Sequence, residues 1–245
     1  MSVYKAITDK MQQGLKQFAV LIDPDKHTLA EVENIAILAS KSNVDYFFVG
    51  GSLLINNQLD QCISMLKEKA EIPVVLFPGN TLQMSWKADA ILFLSLISGR
   101  NPEMLIGRHV IAAPYLKLSP LEVISTGYML IESGKPTAVS YMSNSSPIPA
   151  DKDDISMCTA MAGEMLGLKI IYMDAGSGAL NTVPIGMVEN VKKSISVPLI
   201  IGGGIRTPGH AAALCAAGAD IIVIGNALEN NGEAMNAFSK AIHGV

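Results

Sequence analysis

Short apolar runs alternate with longer amphipathic stretches along nearly the whole chain. Phe18–Ile22, Tyr46–Val49, Val74–Phe77, Ala90–Leu94 and Val110–Ala113 are brief, rich in branched or aromatic residues, and predict strands one to five. Ile170–Met173, Leu199–Ile201 and Ile221–Ile224 supply strands six to eight. Between them, Leu29–Ser40, Leu53–Lys69, Asp154–Leu166, Pro184–Ser194, Pro208–Ala217 and Ala227–Ile242 have helical spacing or helix-forming composition. The strand runs lack in–out alternation, as expected for strands covered on both faces, and strands alternating with helices imply parallel connections. At 245 residues, with no Pro/Gly/Ser-rich linker, the pattern predicts an α/β fold: one (βα)8 TIM barrel occupying residues 1–245.

Two regions break the rhythm. Gly79–Ala88 is too short and irregular for a third helix, so a loop is expected there. Tyr115–Ser146 contains Gly127–Ile131 and Thr137–Tyr141, which look like an extra strand pair beyond strand five. Such an addition either shapes a substrate site or forms an oligomer contact. An internal echo joins the two ends of the pattern. Asp45–Leu53 matches Asp220–Leu228 in character position by position, each a strand running into a glycine turn and a helix. Duplication and shared turn geometry explain this equally well, and either way both turns lie on one barrel face.

Composition narrows the function classes. A formal net charge of -4 leaves no basic excess for a broad nucleic-acid footprint, so nucleic acid is not an expected partner. Cys62, Cys158 and Cys215 are far apart with no CxxC pair, which predicts buried free thiols rather than disulfides or a zinc site. The N-terminus lacks the apolar core of a signal peptide, and the run Ala90–Ile97 falls far short of the ~20 residues that span a bilayer. A cytoplasmic location is the expectation.

The candidate chemistry sits at strand ends. Gly202-Gly203-Gly204-Ile205-Arg206 follows strand seven directly, and Gly225-Asn226 follows strand eight. Glycines let backbone amides approach an anion, and these two barrel loops commonly bind phosphate; tight turning alone is the alternative. Tyr172-Met173-Asp174-Ala175-Gly176-Ser177-Gly178 follows strand six, where Asp174 is either an acceptor or general base for substrate hydroxyls or a turn cap. Asp23-Pro24-Asp25-Lys26, after strand one, offers carboxylates for Mg²⁺ with a diphosphate, or a solvated ion-paired turn. Ser52, at the equivalent turn after strand two, places a hydroxyl on the same rim.

These motifs, in this order, resemble the geranylgeranylglyceryl phosphate synthase family, which includes the bacterial heptaprenylglyceryl phosphate synthases. The resemblance covers essentially the whole chain, including Leu116-Lys117-Leu118-Ser119-Pro120 and Ser143-Asn144-Ser145. Its length and Leu21-Ile22-Asp23-Pro24-Asp25-Lys26 are more similar to the geranylgeranyl branch. The resemblance implies a Mg²⁺-dependent prenyltransferase that joins sn-glycerol 1-phosphate to a polyprenyl diphosphate through an ether bond. It implies Asp23 and Ser52 as metal ligands, and Asp174 and Tyr172 as catalytic residues. Tyr172, Met173, Asp174, Ala175, Gly176, Ser177, Gly178, Gly203, Gly204, Gly225 and Asn226 would hold glycerol 1-phosphate. The family's usual acid after strand six is glutamate, so Asp174 shortens the reach by one methylene. The resemblance also implies a homo-oligomer, and transient contact with a membrane surface is expected. A sugar-phosphate isomerase and a non-catalytic lipid-phosphate carrier are the competing readings, since both use the same glycine loops.

Overall fold

The computed structural model describes residues 2–225, 228 and 232–245. Eight parallel strands close into a barrel in sequence order, with the last strand hydrogen-bonded to the first. They are β1 Gln17–Ile22, β2 Tyr46–Val49, β3 Val74–Leu76, β4 Ala90–Leu96, β5 Glu122–Leu130, β6 Ile170–Asp174, β7 Leu199–Gly202 and β8 Ile221–Ile224. The helices are α1 Val3–Gln12, α2 Leu29–Lys41, α3 Leu59–Lys69, α4 Arg108–Leu118, α5 Ala138–Ser143, α6 Asp153–Met165, α7 Ile185–Ser194, α8 Pro208–Ala216 and α9 Gly232–His243; a π-helical turn, Glu103–Gly107, leads into α4. Among the described residues, no helix is long and apolar enough to cross a membrane.

The unbroken apolar runs have a simple cause. Successive side chains point to opposite faces of a strand, and both faces here are covered. Tyr46, Phe48, Val75, Leu92, Tyr172 and Ile200 belong to the inner core, whereas Phe47, Val49, Leu76, Met173 and Ile201 pack in the layer between sheet and helices. The N-terminal end of the barrel is plugged. Val3 and Ile7 of α1 join the inner core, and buried Gln17 donates to the Ile7 carbonyl while accepting from the Tyr46 hydroxyl at 2.7 Å. Glu122 caps α1 by accepting from the Val3 amide at 2.5 Å and the Ser2 hydroxyl at 2.6 Å. Asp45 accepts from the Phe18 amide at 2.7 Å and is bonded to Lys10 and to His243 Nε2. With this end shut, the C-terminal end is the open one.

The loop expected in place of a third barrel helix is present: β3 reaches β4 through turns, without a helix. Gln83 organises it. Its side-chain oxygen accepts from the Gly51 and Gly79 amides at 3.3 and 3.1 Å, and its nitrogen donates to the Gly51 carbonyl at 2.8 Å. One buried amide thereby clamps the turns after β2 and β3 together.

The middle of the chain departs from the expected pattern. Val110–Ala113 lies inside α4, and the fifth strand is Glu122–Leu130. The run is too short to show a period of its own; His109, Ala112 and Leu116 are buried at helical spacing while Val110 and Ile111 are exposed. Thr137–Tyr141 caps and begins α5 instead of forming a strand, while Gly127–Leu130 belongs to β5 itself. The helix expected from Leu53 starts at Leu59, because Asp25 holds the Ile55 and Asn56 amides in an extended loop. All three cysteines are free thiols, but Cys158 is exposed.

Candidate active site

A cavity of about 390 Å³ opens at the C-terminal end of the barrel. One end is polar, lined by Asp23, Lys26, Ser52, Asp174, Ser177 and Gly225. The other runs over β4 toward α4, between Met84, Ile91, Phe93, Ala112 and Leu116. This apolar arm occupies the flank of the barrel left open by the missing third helix. Ala138, Val139, Met142 and Ser143 of α5 line it as well, so the segment after β5 does shape the cavity.

Asp174 is the buried carboxylate of the polar end, only 7% exposed. Its Oδ1 accepts from the Gly176 amide at 2.8 Å, and its Oδ2 accepts from the Tyr128 hydroxyl at 2.6 Å. Burial pushes its pKa above the ordinary carboxylate value, and the bonds from Tyr128 and Gly176 work against that rise. Burial raises Tyr128 and Tyr172 well above the usual phenol range, so both keep their protons. Phe77 stacks on Tyr172 at 5.1 Å, and Tyr128 meets Tyr172 edge-on at 5.5 Å, which fixes the rings beneath the carboxylate.

The glycine turns are shaped around this group. Gly203 has φ +81°, and a Cβ there would lie 2.5 Å from Asp174 Oδ1 and 2.6 Å from the Gly176 nitrogen. Glycine is what lets the β7 turn pass against the carboxylate. Arg206 ties the two turns by donating to the Ala179 and Leu180 carbonyls at 2.5 and 2.8 Å, and Thr182 donates to the Gly203 carbonyl at 2.7 Å. Among the described residues, the amides of Ser177, Gly178, Gly203 and Gly204 donate to nothing within the chain. That leaves a set of N–H groups able to receive an anion.

On the opposite rim, Asp23 lies 3.6 Å from the Lys26 ammonium, and a Cβ on Gly51 would lie 3.1 Å from its Oδ2. Asp23 and Ser52 line the cavity together. Asp25 does not join them, since its carboxylate is taken by the Ile55 and Asn56 amides. In the apolar arm, His109 Nε2 pairs with the Ser95 hydroxyl at 3.1 Å and the ring sits edge-on to Phe93. Burial holds this imidazole below its usual pKa against the opposing Leu94 carbonyl, so it is neutral near pH 7.

Of the residues expected from sequence, Asp23, Ser52, Asp174, Ser177 and Gly225 line the cavity. Tyr172 is buried in the barrel below Asp174, and Gly176, Gly178, Gly203 and Gly204 form the turns around it. Met173 and Ala175 send their side chains into the sheet–helix layer, so neither offers a side chain to substrate. The Ala175 amide is also spent on the Gly202 carbonyl. Asn226 lies outside the described residues. Tyr128 and Gln83 were not expected: local sequence carried no cue for partners 46 and 32 residues away.

Residues 11–242 match the profile of the PcrB family. The chain belongs to this family. Among PcrB relatives, a geranylgeranylglyceryl phosphate synthase from Chitinophaga pinensis is 54% identical across 98% of this chain and 96% of its own. An enzyme of the same name from Methanothermobacter marburgensis is 39% identical across 92% and 91%. The crystal structure of (S)-3-O-geranylgeranylglyceryl phosphate synthase from Thermoplasma acidophilum, in complex with its substrate sn-glycerol-1-phosphate, superposes with a TM-score of 0.95. It is 35% identical and covers 100% of both chains.

Proposed function

We propose that this PcrB-family protein is a prenyltransferase that joins sn-glycerol 1-phosphate to geranylgeranyl diphosphate through an ether bond, releasing diphosphate. The observation that carries this reading is the shape of one cavity: a carboxylate and the free amide of Ser177 at one end, an apolar arm at the other. The relatives named geranylgeranylglyceryl phosphate synthase, and the Thermoplasma acidophilum enzyme with sn-glycerol-1-phosphate bound, support it. A sugar-phosphate isomerase would have no use for the apolar arm.

The phosphate sits against the free amides of the β6 and β7 turns, which hold the glycerol beside Asp174. The allylic C1–oxygen bond to diphosphate breaks as the glycerol 3-hydroxyl oxygen bonds to C1. Its proton passes to Asp174. Holding both reactants in line supplies much of the acceleration, since well-oriented groups gain the equivalent of roughly 7–11 kcal/mol. Lys26 and Arg108, both on the cavity wall, face the departing negative charge.

Asp23 and Ser52 would hold Mg²⁺. Their donor set fits: both offer hard oxygens from one rim, and Asp23 already faces a cation in Lys26. Among the described residues no three His, Cys, Asp or Glu side chains gather. This suits an ion that takes most of its ligands from diphosphate and water. When bound, Mg²⁺ neutralises diphosphate and makes it a better leaving group. The same proposal includes a cytoplasmic location, homo-oligomeric assembly and transient contact with a membrane surface, checked by cell fractionation, light scattering and vesicle sedimentation.

The test is incubation with Mg²⁺, labelled sn-glycerol 1-phosphate and geranylgeranyl diphosphate. Organic-extractable label that survives phosphatase treatment as an ether supports the proposal. Binding of both substrates without product identifies a carrier and refutes it.

A further inference from the structure

Tyr128 is buried, 5% exposed, and lines the polar end of the cavity, its hydroxyl 2.6 Å from Asp174 Oδ2. A buried phenol needs an acceptor, and a backbone carbonyl would serve. Here the acceptor is instead the carboxylate that faces substrate. The ring has no freedom to follow that carboxylate elsewhere, because Phe77 lies 5.9 Å and Tyr172 5.5 Å from it, centroid to centroid. Phenylalanine at this position would fill the same space, so packing does not account for the hydroxyl.

We infer that Tyr128 is the positioning residue of Asp174: its hydroxyl fixes the one carboxylate rotamer in which the free lone pairs of Oδ1 and Oδ2 meet the glycerol hydroxyl. This rests on the prenyl-transfer reading above. Gly176 anchors Oδ1 from the neighbouring turn, and Tyr128 anchors Oδ2 from β5. With both oxygens held, the carboxylate cannot rotate. As the substrate O–H bond breaks, the proton lands on a lone pair that neither donor occupies, and it leaves to water after product departs.

Tyr128 also sets the charge of that carboxylate. Burial favours the neutral acid, and a donated phenol hydrogen bond favours the anion. Tyr128 holds its own proton far above neutrality, so it acts only as a donor. Among the described residues, the other ionisable groups around Asp174 are Tyr172 on its own strand and, across the cavity, Asp23, Lys26 and His27 from the β1 turn and Glu103, Arg108 and His109 from the α4 side. The β7 turn and Gly225 after β8 present glycine backbone. None of these changes when the Tyr128 hydroxyl is removed.

The experiment is Tyr128→Phe in the full chain, with kcat and KM for sn-glycerol 1-phosphate and geranylgeranyl diphosphate followed across the pH range with Mg²⁺. The acid limb of kcat/KM is expected to move up by about one pH unit, a tenfold loss on that limb, and kcat at high pH should stay below the parent's because the carboxylate is no longer held. KM for the prenyl diphosphate should stay unchanged. In an Asp174→Asn background the same substitution should cause no further loss. A loss with no movement of the acid limb, or equal losses in both backgrounds, would overturn the inference. Should Tyr128→Phe fail to fold, 3-fluorotyrosine placed at 128 gives the opposite test: a stronger donor must move the acid limb down. If the unmodified protein makes no ether product, the proposed reaction fails by itself. Carbon-13 NMR titration of the Asp174 carboxyl then decides the role of Tyr128, which requires a higher midpoint in Tyr128→Phe.

Discussion

Replacing Gly203 by alanine tests how closely the phosphate turn is built around the carboxylate. Two costs add. The backbone sits at φ +81°, where an L-residue other than glycine loses about 1–2 kcal/mol. The new Cβ would also lie 2.5 Å from Asp174 Oδ1 and 2.6 Å from the Gly176 nitrogen. Relief requires pulling those two apart, which forfeits a buried hydrogen bond to a charged group worth roughly 1.5–3 kcal/mol. The sum is about 3–5 kcal/mol; at about 2–4 °C per kcal/mol for a chain of this size, Tm should fall by about 10 °C. Gly225→Ala is the control. Gly225 lacks a positive φ, and its nearest neighbour to a new Cβ is the Leu21 carbonyl oxygen at 3.4 Å. Its stability should change by less than about 1 kcal/mol. Because Gly225 lines the cavity, the added methyl should still weaken sn-glycerol 1-phosphate binding. Thermal melts with and without sn-glycerol 1-phosphate, together with calorimetric titration, separate the two effects. A Gly203→Ala protein that melts within about 2 °C of the parent, a change of about 1 kcal/mol or less, and binds with unchanged affinity would refute the reasoning.

Asp174→Asn should lower turnover about 10²–10⁴-fold at saturating substrate through loss of the base, whereas Asp174→Glu should retain substantial activity. The same Asn variant should be no less stable than the parent at neutral pH. A buried carboxyl with a raised pKa binds its proton more tightly when folded, so it costs stability as pH rises past the ordinary carboxylate value, and the difference should vanish in acid. Melting curves at both pH values check this; a variant markedly less stable at pH 7 contradicts it. Asp23→Asn should abolish turnover at ordinary magnesium and Ser52→Ala should raise the magnesium requirement modestly, as a magnesium titration of initial rates would show; wild-type dependence in Asp23→Asn disproves the metal assignment. Asp45→Ala, which frees the Phe18 amide, Lys10 and His243, should destabilise by about 2–4 kcal/mol in urea melts without touching KM. Burial raises the Asp45 carboxyl, and its hydrogen bonds more than offset that, leaving it below the ordinary value. Its contribution is therefore present above the ordinary carboxylate pKa and lost as pH falls through the depressed one.

The amino-acid sequence by itself determined the rim of the barrel. Ile170–Met173, Leu199–Ile201 and Ile221–Ile224 are strands that must bury both faces, so their unbroken apolar runs are legible without any partner. The glycines that follow them, and Asp23 and Ser52 at the turns after β1 and β2, then fall on one face by topology alone. The missing third helix was legible too, because thirteen residues between Leu76 and Ala90 with this composition leave no room for one. Tertiary structure decided the rest. Val110–Ala113 is apolar enough for either element, and it became helix because packing across β4 buries His109, Ala112 and Leu116 together. The fifth strand, Glu122–Leu130, hides behind Glu122, Ser125 and Gly127, residues that local propensity does not assign to a barrel strand. Asp25 was matched to its amide partners, and Gln83 and Tyr128 to theirs, only when distant turns met. Local periodicity reports which face of an element is buried. It holds no information about which residue, tens of positions away, will supply the matching donor, and at Asp174 that donor comes from β5.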